Sequence, residues 1–291
     1  MRGHDVKQVP LALLSSLFGD GKGEHVLHEE TWQAVTGLPL FDGLDADERN
    51  RLRELAVRLL ADKAFSGAGG IEVDNGMATA IAVFAALPVL NLGYEWYEDW
   101  REIVVYPGEY VFDGEQMDEN GIVHEVRHVR SGEAMQGGPM VLSWEDVEHS
   151  GQGEGFNVVI HEFAHKLDMR NGGANGRPPL HSGIAQEEWA RDFKAAYDDL
   201  SHRVDDGEDT VIDPYATESP AEFFAVLSEY FFEAPDMLQQ EYPAVYGLLS
   251  RFYRQDPLGR MERQEDEKRN VLVDGRLQDG KCLVKVKPDE L

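Results

Sequence analysis

Residues 157–169 read Asn-Val-Val-Ile-His-Glu-Phe-Ala-His-Lys-Leu-Asp-Met, and the reading of this stretch decides what kind of domain surrounds it. His161-Glu162-Phe163-Ala164-His165 is an H-E-x-x-H motif. Two histidines four residues apart on a helix are separated by roughly 40° of rotation and about 6 Å of rise, so both rings can reach one ion. Glu162 points in a neighbouring direction, where it can hold a water rather than the metal. Phe156, Val159, Ile160, Phe163, Ala164 and Leu167 form one apolar face, with His161, His165 and Asp168 on the opposite side. Asn171-Gly172-Gly173 then ends the helix. The competing reading is a solvated helix with two incidental surface histidines. Asp168 likewise has two readings: an acceptor that orients His161 or His165, or a surface acid at a helix end.

A catalytic zinc needs a third protein ligand and an open position. Extension of the motif to a further His after x-x-Gly-x-x is absent, because Asp168 stands at the Gly position and Asn171 at the His position. No cysteine is nearby, which leaves a Glu on a later helix. The segment Glu218-Ser219-Pro220-Ala221-Glu222 opens such a helix, with Ser219 as N-cap and Pro220 in the first turn. Glu222, Glu229 and Glu233 share one face of it with Val226. Spacing leaves Glu222 and Glu229 both open as the third ligand. Glu222 also has a structural reading, as the acid of a Ser-x-x-Glu capping box, and the acidic stripe has one as a solvated face.

The surrounding pattern is α+β. Helical spacing runs from Trp32 to Ala64, with Asp45 as a candidate N-cap, followed by a loop over Ser66–Gly70 and a buried helix over Met77–Leu87. Short β-prone runs follow at Ile103–Tyr106, Tyr110–Phe112, Val123–Val129 and Met140–Trp144. Helices are expected over Phe156–Met169, Glu187–Leu200, Ser219–Phe232 and about Pro243–Arg254. Strands followed by helices favour a small mixed or antiparallel sheet packed by the motif helix over a doubly wound sheet. Met140–Trp144 is a candidate edge strand on which an extended peptide lies antiparallel. The expected organisation is an arm over residues 1–30, one domain over 31–260 with a helical first part, and a charged tail or small hairpin over 261–291.

Composition excludes several classes. Asp and Glu number 55 against 27 Lys and Arg, a formal net charge of −28 over 291 residues. Such a surface repels phosphate backbones and anionic lipid, so neither nucleic-acid nor membrane binding is expected. The single cysteine, Cys282, allows no intrachain disulfide and no cysteine-based zinc site. The longest apolar stretch, Met77–Gly93, is short for a membrane span and contains Pro88 and Asn91. Asp5 interrupts the basic start, and no small-x-small cleavage site follows Val9–Phe18 before Gly19-Asp20-Gly21, so a cytoplasmic location is expected.

Two blocks carry a family resemblance: Asn157–Met169, quoted above, and Asp213-Pro-Tyr-Ala-Thr-Glu-Ser-Pro-Ala-Glu-Phe-Phe-Ala-Val-Leu-Ser-Glu-Tyr-Phe-Phe232. The sequence resembles the Mlc titration factor A family of bacterial zinc peptidases over roughly residues 35–258. That resemblance implies a zincin-like core of the gluzincin type, distantly akin to anthrax lethal factor. It implies one zinc ion per chain bound by His161, His165 and Glu222, with Glu162 as general base and Tyr215 assisting catalysis. It further implies hydrolysis of a peptide or protein substrate, with aminopeptidase-like activity. Members in enteric bacteria are linked to a glucose-responsive transcriptional repressor. The alternative function is therefore a regulatory protein that sequesters a transcriptional repressor of sugar uptake. The sequence departs from the family in residues 1–30, in the tail after Arg260 and in its acidity.

Overall fold

Helix α1 (Glu29–Val35) starts behind His28 and α2 (Ala46–Asp62) behind Asp45. Asp45 and Glu48 form a reciprocal capping box, each side chain accepting from the other's backbone N–H. These elements come from a computed structural model, which describes residues 8–9, 25–108, 110–117, 123–130 and 132–264. The helical spacing from Trp32 to Ala64 thus resolves into two helices, with a short 3₁₀ turn at Pro39–Phe41 between them. Helix α3 (Asn75–Ala86) is capped by Asp74 and stops at Leu87, immediately before Pro88. It is buried through most of its length, as its continuous apolar run requires.

Seven strands are described: β1 (Gln8–Val9), β2 (Ala64–Gly67), β3 (Glu102–Tyr106), β4 (Tyr110–Met117), β5 (Val123–Arg130), β6 (Gly132–Ala134) and β7 (Met140–Ser143). One sheet has the order β2-β3-β7-β6. Its first three strands run parallel and β6 pairs antiparallel with β7, so this sheet is mixed and the purely antiparallel alternative is ruled out. The other sheet, β1-β4-β5, is built on an antiparallel β4–β5 hairpin with β1 parallel to β4.

Two expectations change here. The sequence pattern places residues 64–67 at the end of a helix and in a loop, yet they form β2. The Ala64 N–H donates to Arg101 O at 2.9 Å and the Ala68 N–H to Val105 O at 2.8 Å, so pairing with β3 overrides a segment with little strand propensity of its own. Met140–Ser143 is not an edge strand: it lies between β3 and β6 and is buried throughout. Among the described residues, the edge on that side belongs to β6. Trp144 leaves the strand to begin helix α4 (Trp144–His149), with Ser143 as N-cap.

Helix α5 (Val158–Asp168) carries the motif, with Asn157 accepting from the Ile160 N–H as N-cap. Every one of its residues is buried, which excludes a solvated helix with surface histidines. On the side away from the histidines, the Phe163 ring meets Tyr97 and Trp100, with centroids 4.8 and 5.4 Å apart. Full burial of one such side chain contributes about 1.5–3 kcal/mol, so this face anchors the helix. Helices α6 (Gln186–Asp205), α7 (Pro220–Glu233), α8 (Pro235–Glu241) and α9 (Pro243–Tyr253) complete the chain's helical half, with α5 packed against α3, α7 and β6. Residues 257–264 are also helical and cross the expected boundary at 260, while the rest of the expected tail, and most of the expected arm, lie outside the described residues. No helix among the described residues is long and apolar enough to cross a membrane.

Asp168 closes α5. An acid is poorly placed at a helix C-terminus, where the backbone dipole is negative. Its carboxylate is fully buried and accepts from the backbone N–H groups of Asn175 and Gly176, each at 2.6 Å, and of Arg177 at 2.8 Å. It is therefore the anchor of the loop leading to α6. Of the three donors Gly176 is buried, and a buried donor left without its charged partner costs about 1–3 kcal/mol. Asp168→Ala is thus expected to lower the unfolding free energy by about 1–3 kcal/mol in urea titrations. A loss below about 1 kcal/mol would contradict this account of the loop.

Candidate metal centre

The site is assembled by two helix starts. Pro220 follows Ser219, whose side chain accepts from the Glu222 N–H at 3.2 Å, and this brings Glu222 out of the first turn of α7. The carboxylate does not complete the capping box. It turns to the histidines instead: Glu222 Oε2 lies 3.0 Å from His161 Nε2 and 3.2 Å from His165 Nε2. The two Nε2 atoms are 3.2 Å apart, with the rings nearly perpendicular at 78°. Zinc with ligand bonds of about 2.0–2.1 Å and tetrahedral angles separates its donors by roughly 3.3 Å. The three donors therefore already stand at the spacing that one small divalent ion requires, and the group could hold such an ion.

Glu229, the other candidate for third ligand, sits behind the histidine. Its Oε1 lies 2.7 Å from His161 Nδ1, and its Oε2 accepts from the Asn157 N–H at 2.6 Å. With Nδ1–H donating to Glu229, the Nε2 lone pair of His161 faces Glu222 and His165. Glu233, one turn further along α7, accepts from Asn157 Nδ2 at 2.7 Å and from the Gly153 N–H at 2.9 Å. The acidic stripe is therefore no solvated face: Glu229 and Glu233 are buried and grip the N-cap of α5. Asp168, a candidate orienter of His161 or His165, is committed to the loop at 175–177.

The electrostatics follow from these contacts. Burial raises the Glu222 carboxyl, but its contacts with His161 and His165 outweigh it and hold the group far below the usual carboxylate range. Burial lowers the His161 imidazole, but the Glu229 charge and the contacts to both glutamates raise it well above its ordinary value. Glu229 is raised by burial, and Glu233 is pushed up by burial to about 7. A divalent cation between His161, His165 and Glu222 would offset this concentration of buried negative charge.

Glu162 is 3% exposed and lines a cavity of about 310 Å³ together with Gly132, Phe156, Asp213, Tyr215 and Tyr230. Gly132, in β6, packs directly on it. A Cβ there would fall 2.4 Å from Glu162 Oε1, so only glycine lets the strand approach this closely. Gly155 is also required, since its φ is 83° and a Cβ would strike the Tyr230 ring at 2.7 Å. Tyr215 stands in the 3₁₀ turn Pro214–Thr217, its N–H donating to Asp213 at 2.8 Å. It is 48% exposed, with its ring centroid 6.0 Å from that of His161. A larger hollow of about 430 Å³, against Trp189, Phe193 and Phe223, lies on the other face of α7 and includes none of these polar groups. The smaller cavity is the candidate site because it holds the chemistry.

Sequence reasoning missed three features: the grip of Glu229 and Glu233 on α5, the approach of Gly132, and β6 as the free edge. The shared helical face of Glu222, Glu229 and Glu233 was a signal for the first. Gly132-Glu133-Ala134 offers no comparable signal.

A helix-borne His-Glu-x-x-His, closed by an acid from a second helix beside a cavity, defines a metallopeptidase-like protein. The profile of the glucose-regulated metallo-peptidase M90 family matches residues 22–254, and the chain belongs to that family. It is similar to Mlc titration factor A of Yersinia enterocolitica, at 42% identity over 243 residues, covering 82% of this chain and 91% of that protein. Proteins of the same name from Yersinia pestis and Yersinia pseudotuberculosis match at 42% over 238 residues, covering 81% of this chain and 88% of theirs.

The Glu229–His161 contact is open to test. Glu229→Gln is expected to weaken metal affinity about 10–100-fold in chelator competition. The metal-free variant should keep its helical circular-dichroism signal. An affinity within about twofold of the native protein would make the hydrogen bond incidental to the site.

Proposed function

We propose that this protein is a zinc-dependent peptidase with a zincin-like core of the gluzincin type, holding one zinc ion through His161, His165 and Glu222. The observation that carries the reading is the convergence of three donor atoms at 3.0–3.2 Å with Glu162 on the neighbouring helix position. An ion held there would supply Lewis acidity toward water and toward a carbonyl oxygen. Glu162, as general base, takes the proton of the attacking water and passes it to the leaving amine. Its burial against Gly132 keeps bulk water from competing for that proton. Tyr215 donates a hydrogen bond to the oxyanion as the carbonyl becomes tetrahedral, and its exposed turn leaves it room to do so. Glu229 keeps the Nε2 of His161 available by holding Nδ1–H.

The substrate is a peptide or protein segment, and the free edge of β6 takes over the peptide-aligning role first expected of Met140–Trp144. Glu154 and Asp213 line the same cavity, which supports aminopeptidase-like action, since carboxylates there favour a protonated amine. A second reading rests on the name of the relatives, Mlc titration factor A. By that reading the chain also binds a transcriptional repressor of sugar uptake, in the cytoplasm. Nucleic acid and membrane are not proposed partners, given the net charge of −28.

Glu162→Gln should keep its metal and lose about 10²–10⁴-fold in kcat on a peptide library. Glu222→Ala should lose metal and cleavage together. Full activity in the Glu162→Gln protein would overturn the peptidase mechanism. The repressor reading predicts that the Glu162→Gln protein still captures such a repressor in pull-down, and failure of the native protein to do so would remove it.

A further inference from the structure

Lys166 follows the second histidine of the motif and is 3% exposed. A buried ammonium needs partners that satisfy it, and here those partners are backbone carbonyls. Its Nζ donates to Met135 O at 2.7 Å and to Gly138 O at 2.8 Å, and it stands 4.9 Å from the centroid of the Trp100 ring. Met135 and Gly138 bound the turn that joins β6 to β7, and the Gly138 N–H closes that turn onto Met135 O at 3.1 Å.

The same turn sets the height of β6. That strand runs antiparallel to β7, and its other side is unpaired among the described residues. Two of the contacts between helix α5 and the hairpin bear on the site. Glu162 packs on Gly132 at the start of β6, and Lys166 holds the carbonyls just beyond its end. Glu162 and Lys166 are four residues apart, hence on one face of the helix. We propose that Lys166 is a positioning residue that fixes the free edge of β6 over Glu162, and so sets the register of an extended peptide substrate relative to the general base.

The inference rests on the peptidase reading and predicts a dependence on substrate length. A dipeptide amide reaches the metal centre but leaves most of the three-residue edge unused, whereas an octapeptide pairs along it. Lys166→Met should raise KM for a fluorogenic octapeptide about tenfold, the equivalent of about one backbone hydrogen bond, with kcat within about twofold. For a fluorogenic dipeptide amide, kcat/KM should stay within about twofold, and metal content should be unchanged. In the metal-free variant, backbone amides of residues 132–142 should exchange with solvent about tenfold faster, a readout independent of activity.

Lys166→Gln keeps one N–H donor and should fall between the two. If the methionine variant does not fold, the glutamine variant carries the same comparison. Equal losses on both substrates, or no loss on either with native exchange rates, would overturn the inference while leaving the peptidase reading intact. A native protein inert toward both substrates would overturn both.

Discussion

One face of α7 meets the first turns of α5, and the rest of the site depends on that contact. Three carboxylates from a single stripe do three different jobs there. Glu222 closes on the two Nε2 atoms, Glu229 holds His161 from behind, and Glu233 grips Asn157 at the helix start. The opposite face of α5 is pinned by Phe163 against Tyr97 and Trp100. With both faces held, the histidine pair has little freedom to turn away from Glu222.

The arrangement is costly in the absence of a cation. Glu222, Glu229 and Glu233 lie on one helix face with two of them buried, and removing such charges from water is unfavourable unless they are compensated. The protein compensates them partly with backbone N–H groups of Gly153 and Asn157, and partly with the imidazoles. A divalent ion held by His161, His165 and Glu222 would complete the compensation. The same logic explains Asp168 and Lys166, each buried and each satisfied by backbone groups of an adjoining turn. Charges near this centre serve as fasteners between α5 and the loops around it.

The parts legible in the sequence are those with a local signature. His161 to His165 states its own geometry through the helical repeat, and Ser219-Pro220 announces the helix that brings Glu222 in. Asp45 marks a helix start as its residue type leads one to expect. Spacing alone left Glu222 and Glu229 open as the third ligand, because both sit on one face. The packing of α7 against α5 sets Glu222 at both Nε2 atoms and Glu229 at Nδ1 of His161. The strands are less legible: β2 pairs with β3, and among the described residues the edge falls to β6 because it pairs outside β7. Neither fact is written in a residue pattern, since both depend on what another segment does. Asp168 looked like a surface acid or a histidine partner for the same reason, its true partners being backbone groups of a later loop.

The central claim is that His161, His165 and Glu222 share one ion while Glu229 stays outside its ligand shell. Anomalous diffraction at the zinc edge, on crystals of the metal-loaded protein, tests it most directly. The account predicts a single peak about 2.0–2.2 Å from both Nε2 atoms and from a Glu222 oxygen, with Glu229 still on His161 Nδ1. A peak bonded to Glu229 rather than Glu222, or no peak at this position in loaded protein, would contradict it.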